Sequence, residues 1–457
     1  MAAPIGVRSG SGMLGGTVGA LQSESSRSTR FVKGTTVEKP PNVEGGLKSL
    51  LLHPLSVLLL CLPLGIAAHH CEWGDSAVFW FNFFAMIPLA KMMGDATEEL
   101  AAGLKNDMLA GLLNATFGNA VEMVISVQTL RAGMFDVVKA TLLGSVLSNL
   151  LLVLGMSFFL GGIVGKAKTM PLAIMPTLRA SSSTLGMPPP SVLEEPDKPE
   201  TYHQEFVQEK VQTFSVMSAM VNTSMLLLSC LSFSLVTVFY STTHVDGVSP
   251  IDEVLIPVSR ICAIIVTIAY CAYIFFQLVT HANAMSEEEG GDEVAEPELS
   301  VRASIIILCL TTITVGYSSE LLVDAIAGVT VKSGVSEHFI GIILLPIVGN
   351  ACEHVSAVRF AMMDRPGLSI GIAVGSSTQI ALFVVPFSVL VGWLIGQPMD
   401  LNFGALNTTV MTLSVVVVLS VVVDGTANWL QGYLLMSAYL VIAVLYWFLP
   451  NKMPIDM

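Results

Sequence analysis

Charged residues are scarce in this chain, which has 457 residues. Only 12% of them are Asp, Glu, Lys or Arg, whereas soluble domains carry about 25%. Hydrophobic residues make up 53% of the chain, and the mean hydropathy is +0.72. The shortage of charge excludes an ordinary soluble domain and indicates a polytopic membrane protein.

Motifs of several protein classes are also missing. There is no GxxxxGK(S/T) loop to hold ATP and no HExxH pair to hold zinc. The seven cysteines form no CxxC pair and most lie in apolar runs, so no zinc or disulfide framework is implied. The net charge of −14 and the lack of a basic patch argue against nucleic acid. We therefore expect no enzyme activity, no cofactor and no ATP.

Long apolar runs, by contrast, are abundant. A membrane helix needs about 20 apolar residues, and eleven runs approach or exceed this length. They cover residues 50–68, 76–102, 107–131, 136–160, 212–240, 254–282, 300–328, 336–363, 367–396, 403–424 and 428–449. The sequence thus predicts an all-α polytopic membrane protein with about eleven transmembrane helices.

Polar segments flank and interrupt these runs. Residues 1–49, rich in Gly and Ser, are predicted to form a disordered cytosolic tail, although the absence of acids before Glu24 would also suit a transit peptide. Residues 165–210 are predicted to be a flexible insertion. Residues 283–299 contain the acidic block SEEEGGDEVAEPE. This linker is a solvated connection on one interpretation and a cation-attracting or regulatory segment on the other.

The acidic linker separates two groups of five spans. The first span, 50–68, stands apart, the first repeat is predicted at 76–282, the second at 300–449, and a short tail at 450–457. Because five is an odd number, the two repeats must cross the membrane in opposite directions, as in many secondary transporters. The distribution of basic residues favours a cytosolic N-terminus.

One pentapeptide occurs in both repeats. Residues 118–122 read GNAVE and residues 349–353 read GNACE, which is an offset of 231 positions. The pair Gly-Ser at 144–145 returns at the same offset, at 375–376. Two matches at one offset indicate an internal duplication. An acid inside an apolar run is costly, so each copy is a candidate functional site.

The repeated residues have the chemistry of a cation site. The glutamates supply charge, the asparagines supply amide oxygens, and the glycines can loosen a helix so that main-chain carbonyls become ligands. The set consists of Glu122, Glu353, Asn119, Asn350, Gly118 and Gly349. An all-oxygen cage with two negative charges suits a hard divalent cation, with calcium favoured. The alternative is that each glutamate is satisfied in a structural polar network.

Other polar residues in the spans are candidates for supporting roles. Ser148 and Gln379 follow the repeated Gly-Ser pairs and are predicted to contribute to the cation site. Glu98 and Glu320 lie one span before the pentapeptides and are predicted to admit cations or relay protons, unless they lie in water at helix ends. His354, after the second pentapeptide, is either a proton relay or a structural hydrogen-bonding residue.

These segments resemble the vacuolar-type calcium/proton exchangers of the calcium/cation antiporter superfamily. The resemblance rests on GNAVE, on GNACEH and on residues 142–155, 375–393 and 399–403, and it extends over residues 76–449. It implies one helix outside a core of two five-helix repeats, and placement in the vacuole or another endomembrane.

The resemblance also implies roles for particular residues. Glu122 and Glu353 match the cation-binding acids of the family, and Asn119, Asn350 and Gln379 match neighbouring site positions. Sodium/calcium exchangers typically carry a hydroxyl residue before the acid, and this chain has none there. The difference favours protons as the counter-ion.

The expected function is exchange of calcium for protons by alternating access, which loads an acidic compartment. Another divalent cation such as manganese could replace calcium. A sodium-coupled calcium exchanger is the nearest alternative, and a cation channel or an intramembrane enzyme with two carboxyl groups would belong to a different class. The expected partners are the divalent cation, protons, the lipid bilayer and a second copy of the chain in a homo-oligomer.

Overall fold

The computed structural model describes residues 46, 48, 52–104, 106–165, 168–171, 206–243, 251–282 and 298–450. Most of the predicted N-terminal tail, the centre of the insertion, the acidic block up to residue 297 and residues 451–457 lie outside this part. The predicted flexibility of these segments therefore stays a prediction.

Helices make up most of the first half of the chain. A 3-10 helix, Pro54–Leu60, leads into the first α-helix, and a π-helical turn, Ser148–Val153, joins two others. In order, the helices are α1 Cys61–His70, α2 Asp75–Gly103, α3 Asp107–Phe117, α4 Ala120–Arg131, α5 Phe135–Leu147, α6 Leu154–Val164, α7 Val216–Thr243 and α8 Ile251–Phe275. A further π-helical turn, Phe276–Thr280, extends α8.

The second half follows the same plan. Its helices are α9 Val301–Ser333, α10 Glu337–Phe339, α11 Leu345–Gly349, α12 Ala351–Met362, α13 Pro366–Gln379, α14 Val385–Leu394, α15 Ala405–Val422 and α16 Trp429–Trp447. Two π-helical turns, Ile340–Leu344 and Ile380–Val384, connect α10 to α11 and α13 to α14.

Nine helices of the described residues are long and apolar enough to cross a membrane, and a bent helix pair makes a tenth candidate. The predicted first span at 50–68 corresponds to a shorter apolar helix, Pro54–His70. The prediction of an all-α polytopic membrane protein is confirmed, while the exact number of eleven spans stays a prediction.

Local sequence explains where several of these helices begin and end. The Ser300 hydroxyl accepts a hydrogen bond from the Ala303 amide at the start of α9, and Gly334 ends that helix with a φ of +73°. At the start of α16, Asn428 and Gln431 form a reciprocal capping box. These contacts satisfy main-chain groups that a helix end leaves without intrahelical partners.

Four short strands depart from the predicted all-helical pattern. Strand β1, Lys168–Pro171, pairs antiparallel with β2, Phe206–Glu209, so the two ends of the 165–210 insertion are paired. Strand β3, Gln212–Thr213, pairs with β4, Thr426–Ala427. The second pair joins the two halves of the chain, because β4 belongs to the connection between α15 and α16.

The duplication seen in the sequence recurs in the secondary structure. Helix α4 spans 120–131 and α12 spans 351–362, which is a shift of 231 at both ends. The π-helical turn at 148–153 shifts to 379–384, where the second half has its own at 380–384. Because π-helical turns are rare and often lie at functional sites, their repetition supports one ancestral five-helix unit.

Contacts between the halves are reciprocal. Asn119 accepts a hydrogen bond from the Ser376 hydroxyl, and Asn350 donates one to the Ser145 carbonyl. Under the 231-residue offset, these two pairs exchange their members. Reciprocal contact is the mark of a two-fold relation. The predicted five spans in each half would place that axis in the plane of the membrane.

Burial separates central helices from peripheral ones. Of the most apolar window of the span 135–164, 72% is buried, against 22% for both 253–280 and 429–447. Helix α5, whose residues 137–147 are all buried, and the span 366–394, whose window is 67% buried, therefore lie in the core of the protein. The outer helices expose large apolar side chains such as Ile268 and Leu440, as expected for surfaces that face lipid.

One ion pair ties the core helix α5 to the connection between α14 and α15. The Lys139 ammonium donates to the Asp400 carboxylate over 2.8 Å, and the two side chains are only 11% and 18% exposed. Asp400 also accepts from the Asn402 amide. A charged pair this far from water is stable only while both partners are present.

We predict that Lys139→Met lowers the free energy of unfolding by about 2 to 3 kcal/mol, because it leaves the Asp400 carboxylate without its cation. The double variant Lys139→Met/Asp400→Asn should recover most of this loss. Lys91→Met is the control, since the Lys91–Asp95 pair is more exposed, at 24% and 28%. Thermal unfolding of the purified protein in detergent measures all three, and additive losses in the double variant would contradict the prediction.

Candidate cation site

The two Gly-Asn pairs interrupt their helices. Gly118 follows the end of α3 and Asn119 precedes α4, with Asn119 at φ −108° and ψ 28°. Asn350 divides α11 from α12 at φ −89° and ψ 15°, and the helices on either side meet at an angle of 59°. The predicted runs 107–131 and 336–363 are therefore not continuous helices, because each is interrupted at its Gly-Asn pair. The glycine has the predicted loosening effect, because the helix ends beside it.

Each break places a glutamate at the start of a helix. Glu122 lies in the first turn of α4 and Glu353 in the first turn of α12. The positive end of the helix dipole favours negative charge there. The preceding helices α3 and α11 end at the same point, where main-chain carbonyls lose their intrahelical partners. An interrupted helix thus supplies both an anchored carboxylate and free carbonyl oxygens.

The two glutamates line one cavity of about 220 Å³, together with Gly118, Gly349 and Glu98. Glu122 reaches across to the other repeat, because a methyl group built on Gly349 would lie 3.0 Å from its Oε1 atom. Glu353 is within electrostatic range of both Glu122 and Glu98. The structure therefore brings the two pentapeptides together, as the inverted-repeat interpretation requires.

Two buried acceptor atoms of the predicted cation-binding residues, Glu353 Oε2 and Asn350 Oδ1, have no hydrogen-bond partner among the described residues. A buried acceptor without a partner costs free energy, so the site is suited to a bound cation or proton. No group of three or more His, Cys, Asp or Glu side chains in the described part of the chain could hold a metal by itself. Amide and main-chain oxygens are therefore needed to complete a cation cage.

A second cavity, of about 310 Å³, adjoins the first and is lined by amide side chains. Asn119 donates to Gln379 Oε1 over 2.6 Å, and it accepts from Ser376 over 3.3 Å. Asn114 and Gly118 line both cavities, and so does Glu353. The two cavities therefore form one polar space between the repeats.

A third cavity, of about 330 Å³, adjoins the first cavity, which the two glutamates line. It is lined by the Lys91–Asp95 ion pair, by Arg359 and by Glu98. Glu98 also lines the first cavity, so it lies where the two spaces meet. This position fits the predicted role of Glu98 in admitting cations or relaying protons.

Four predicted residues line none of these cavities. Glu320 is exposed on α9, whereas Asn350 is buried and donates to the Ser145 carbonyl. His354 and Ser148 contact each other, with 3.4 Å between Nε2 and Oγ, and His354 Nδ1 lies 2.5 Å from the Asn350 carbonyl oxygen. This environment matches the structural interpretation of His354, and its relay role and that of Glu320 stay predictions.

Other residues of the site were missed by the sequence analysis. Asn114 lines both of the first two cavities, Ser356 lines the first, and Asn222 and Tyr273 line the second and are hydrogen-bonded to each other. Asn114 precedes Gly118 by four positions, which is a helical spacing that could have revealed it. Asn222 and Tyr273 lie on α7 and α8, and no repeated motif in the sequence marks them.

Comparison with known proteins identifies the family of this chain. The family model described as sodium/calcium exchanger protein matches residues 76–189 and 303–448. The chain is 37% identical over 413 residues to the vacuolar cation/proton exchanger 3 of Oryza sativa subsp. japonica, covering 88% of each chain. It is 36% identical over 411 residues to the Ca(2+)/H(+) antiporter of Synechocystis sp., covering 86% of this chain and 97% of that relative. The solved structure of native YfkE matches with a TM-score of 0.65 at 30% identity, covering 86% of this chain and 100% of that one.

We predict that Gly349→Ala weakens cation binding by about tenfold, or about 1.4 kcal/mol, because the new methyl group crowds the Glu122 carboxylate. Gly371→Ala is the matched control. A methyl group there meets nothing within 4 Å, and the equivalent residue of the first repeat, 231 positions earlier, is already Ala140. Calorimetric titration with calcium compares the two variants. Equal affinities would show that the approach of the Glu122 carboxylate does not require glycine at position 349.

Proposed function

Because the chain belongs to the sodium/calcium exchanger protein family, we propose that it is a secondary active antiporter that exchanges calcium for protons by alternating access. The observation that carries this proposal is the meeting of Glu122 and Glu353 in one cavity between the two repeats. A site between inverted repeats near the middle of the membrane is the arrangement from which many secondary transporters work. The relative from Synechocystis sp. is named a Ca(2+)/H(+) antiporter, and the relative from Oryza sativa is named a cation/proton exchanger.

Charge balance explains how the two fluxes are coupled. Two ionised carboxyl groups carry two negative charges, which one divalent cation or two protons neutralise equally. Since the same oxygen atoms cannot hold both at once, the cation and the protons displace each other. The empty, doubly charged site is too costly to pass through a low-dielectric barrier, so the protein changes conformation only when loaded.

The residues around the carboxyl groups favour protons over sodium as the counter-ion. The two positions before Glu122 are Ala120 and Val121, and those before Glu353 are Ala351 and Cys352. None of these side chains supplies an oxygen ligand, which a sodium ion would need. Sodium coupling is the nearest alternative within the family, and other divalent cations such as manganese fit the same oxygen cage.

An asymmetry between the repeats supports alternating access. Gly144 of α5 packs so closely against Ile342 and Pro346 of the other repeat that a methyl group would overlap both. Its equivalent, Gly375 of α13, has open space within 4 Å and lines the second cavity instead. One of two equivalent helix contacts is thus closed while the other is open, which is the relation expected of a single state in an alternating cycle.

We infer from the open contact that the site faces the cytosol. Gly367 and Leu368, in the first turn of α13, line the second cavity. The turn just before them carries Arg365, which the distribution of basic residues assigns to the cytosol. In this state calcium would bind from the cytosol, and we propose that the protein loads an acidic vacuole or related compartment, with its N-terminus in the cytosol.

Two functions of other classes fit less well. A channel would not need two equivalent cages in opposite orientations. An intramembrane enzyme would need a nucleophile, and residues 367–371 do read GLSIG, which matches GxSxG. These residues lie inside α13, however, and Ser369 is fully buried, so the exposed turn between strand and helix that this motif requires is missing at that position.

We predict that Glu122→Gln and Glu353→Gln each abolish proton-driven calcium uptake, because one remaining carboxylate cannot balance a divalent cation. Glu253→Gln is the control, since Glu253 is an exposed acid on α8 that lines none of the three cavities. The measurement is calcium uptake into vesicles with an acidic interior. Normal uptake by either site variant would reject the exchange scheme. Wild-type uptake that follows membrane potential without a pH gradient would identify a channel.

We predict that Gly375→Ala abolishes transport while calcium binding and thermal stability are retained. In this conformation the added methyl group at position 375 has free space. In the opposite state the contact at Gly375 would close as the contact at Gly144 does here, and the methyl group would then overlap the other repeat. Gly371→Ala again serves as the control and should transport normally. Vesicle uptake and calorimetry together measure the effect, and normal uptake by Gly375→Ala would argue against an exchange of the two contacts.

A further inference from the structure

Four polar side chains form a hydrogen-bond chain that alternates between the repeats. Asn149 Nδ2 donates to Ser376 Oγ over 3.0 Å, and Ser376 donates to Asn119 Oδ1 over 3.3 Å. Asn119 Nδ2 then donates to Gln379 Oε1 over 2.6 Å. The hydrogen-bond chain thus begins at Asn149, buried within the π-helical turn of the first repeat, and ends at Gln379, which lines the second cavity.

We propose that Asn149 is a positioning residue: acting through Ser376 and Asn119, it holds the amide of Gln379 with its carbonyl oxygen towards the cation site. This inference rests on the proposed function, because it concerns the same site. It gives a role to a residue that does not line any of the three cavities.

The directions of the hydrogen bonds explain how Asn149 orients the amides of Asn119 and Gln379. A serine hydroxyl has one hydrogen to donate. When Asn149 donates to Ser376, that hydrogen is available for Asn119 Oδ1. The Asn119 amide then has its oxygen towards Ser376 and its amino group towards Gln379. A partner with an amino group requires Gln379 to present its oxygen, so the orientation passes along the chain.

The position of Gln379 Oε1 explains why the orientation of this amide affects cation binding. A methyl group built on Gly118 would lie 3.8 Å from this oxygen, and Gly118 lines both the carboxyl cavity and the amide cavity. The oxygen therefore lies at the junction of the two spaces. Because a carbonyl oxygen has two lone pairs, it can accept from Asn119 and still face a cation. If the amide rotated, an amino group would take its place and repel the cation.

The hydrogen-bond chain has no symmetric copy among the described residues, and this asymmetry supports a specific role for Asn149. The position equivalent to Asn149 in the second repeat is Ile380. The equivalent of Asn119, Asn350, donates to the main-chain carbonyl of Ser145 and keeps its own Oδ1 without a partner among the described residues. Among the described residues, no such side-chain relay leads to the amide of Asn350.

The experiment compares Asn149→Leu, Ser376→Ala and the double variant in two measurements. The first is calorimetric titration of the purified protein with calcium, and the second is calcium uptake by vesicles with an acidic interior. We expect each single variant to raise the calcium KM and Kd about tenfold, which is about 1.4 kcal/mol, with the maximal rate nearly unchanged. The double variant should be no worse than either, because both substitutions break one relay.

Two further variants separate positioning from a structural role. Ser376→Thr keeps the hydroxyl and should bind calcium as the wild type does. Asn82→Leu removes another buried asparagine, one that accepts a hydrogen bond from Ser318 across the repeats. It should lower the thermal midpoint without changing KM. If Asn149→Leu does not fold, the pair Ser376→Ala and Ser376→Thr carries the same comparison.

The outcomes keep the two proposals apart. An unchanged calcium Kd in Asn149→Leu, additive losses in the double variant, or a loss in Ser376→Thr as large as in Ser376→Ala would overturn the positioning role. A wild-type protein that binds calcium but shows no uptake driven by a pH gradient would overturn the exchange function. In that case the calorimetric comparison would still decide the role of Asn149.

Discussion

The rest of the structure depends on the placing of two carboxyl groups in one cavity away from bulk water. Two negative charges in a low-dielectric interior are unstable unless cations or protons balance them. Glu122 and Glu353 are therefore useful only where a mobile positive charge can reach them, and the adjoining polar cavities provide that access. Both transport and tight coupling follow from this requirement.

Helix interruption is the means by which the fold meets this requirement. A continuous membrane helix uses all its main-chain groups internally and offers none to a ligand. The Gly-Asn breaks after α3 and α11 expose carbonyl oxygens and begin new helices whose positive ends face the glutamates. Three residue types, Glu, Asn and Gly, thus provide charge, amide oxygen, main-chain oxygen and space for close approach.

The two repeats are equivalent in sequence but not in conformation. A pseudo-two-fold relation permits two equivalent contacts between the repeats, and packing closes one of them at Gly144 while the other stays open at Gly375. Because close-packed interfaces are bistable rather than continuously deformable, an exchange of these two contacts would move access from one side of the membrane to the other. The side-chain relay from Asn149 adds a second asymmetry, at the level of single amide groups.

Much of the fold could be predicted from the sequence, because the signals involved are local or periodic. The apolar runs at 136–160 and 403–424 lie within a few residues of the helices 135–164 and 405–422, since the cost of exposing polar groups to lipid dictates their length. The matched pentapeptides identified the two acids of the site, because an acid in an apolar run has few structural reasons to be there.

Only the tertiary structure could decide which side chains meet. Residue spacing predicted the same role for Glu320 and Glu98, yet Glu320 is exposed and Glu98 lies between two cavities. The pairing of Asn119 with Gln379 joins residues 260 positions apart, and no local pattern encodes such a contact. The sequence by itself determined the spans, the duplication and the two acids, because these depend on burial and periodicity. The partners, the hydrogen-bond directions and the open contact depend on how the two halves pack, and packing is a property of the assembled fold.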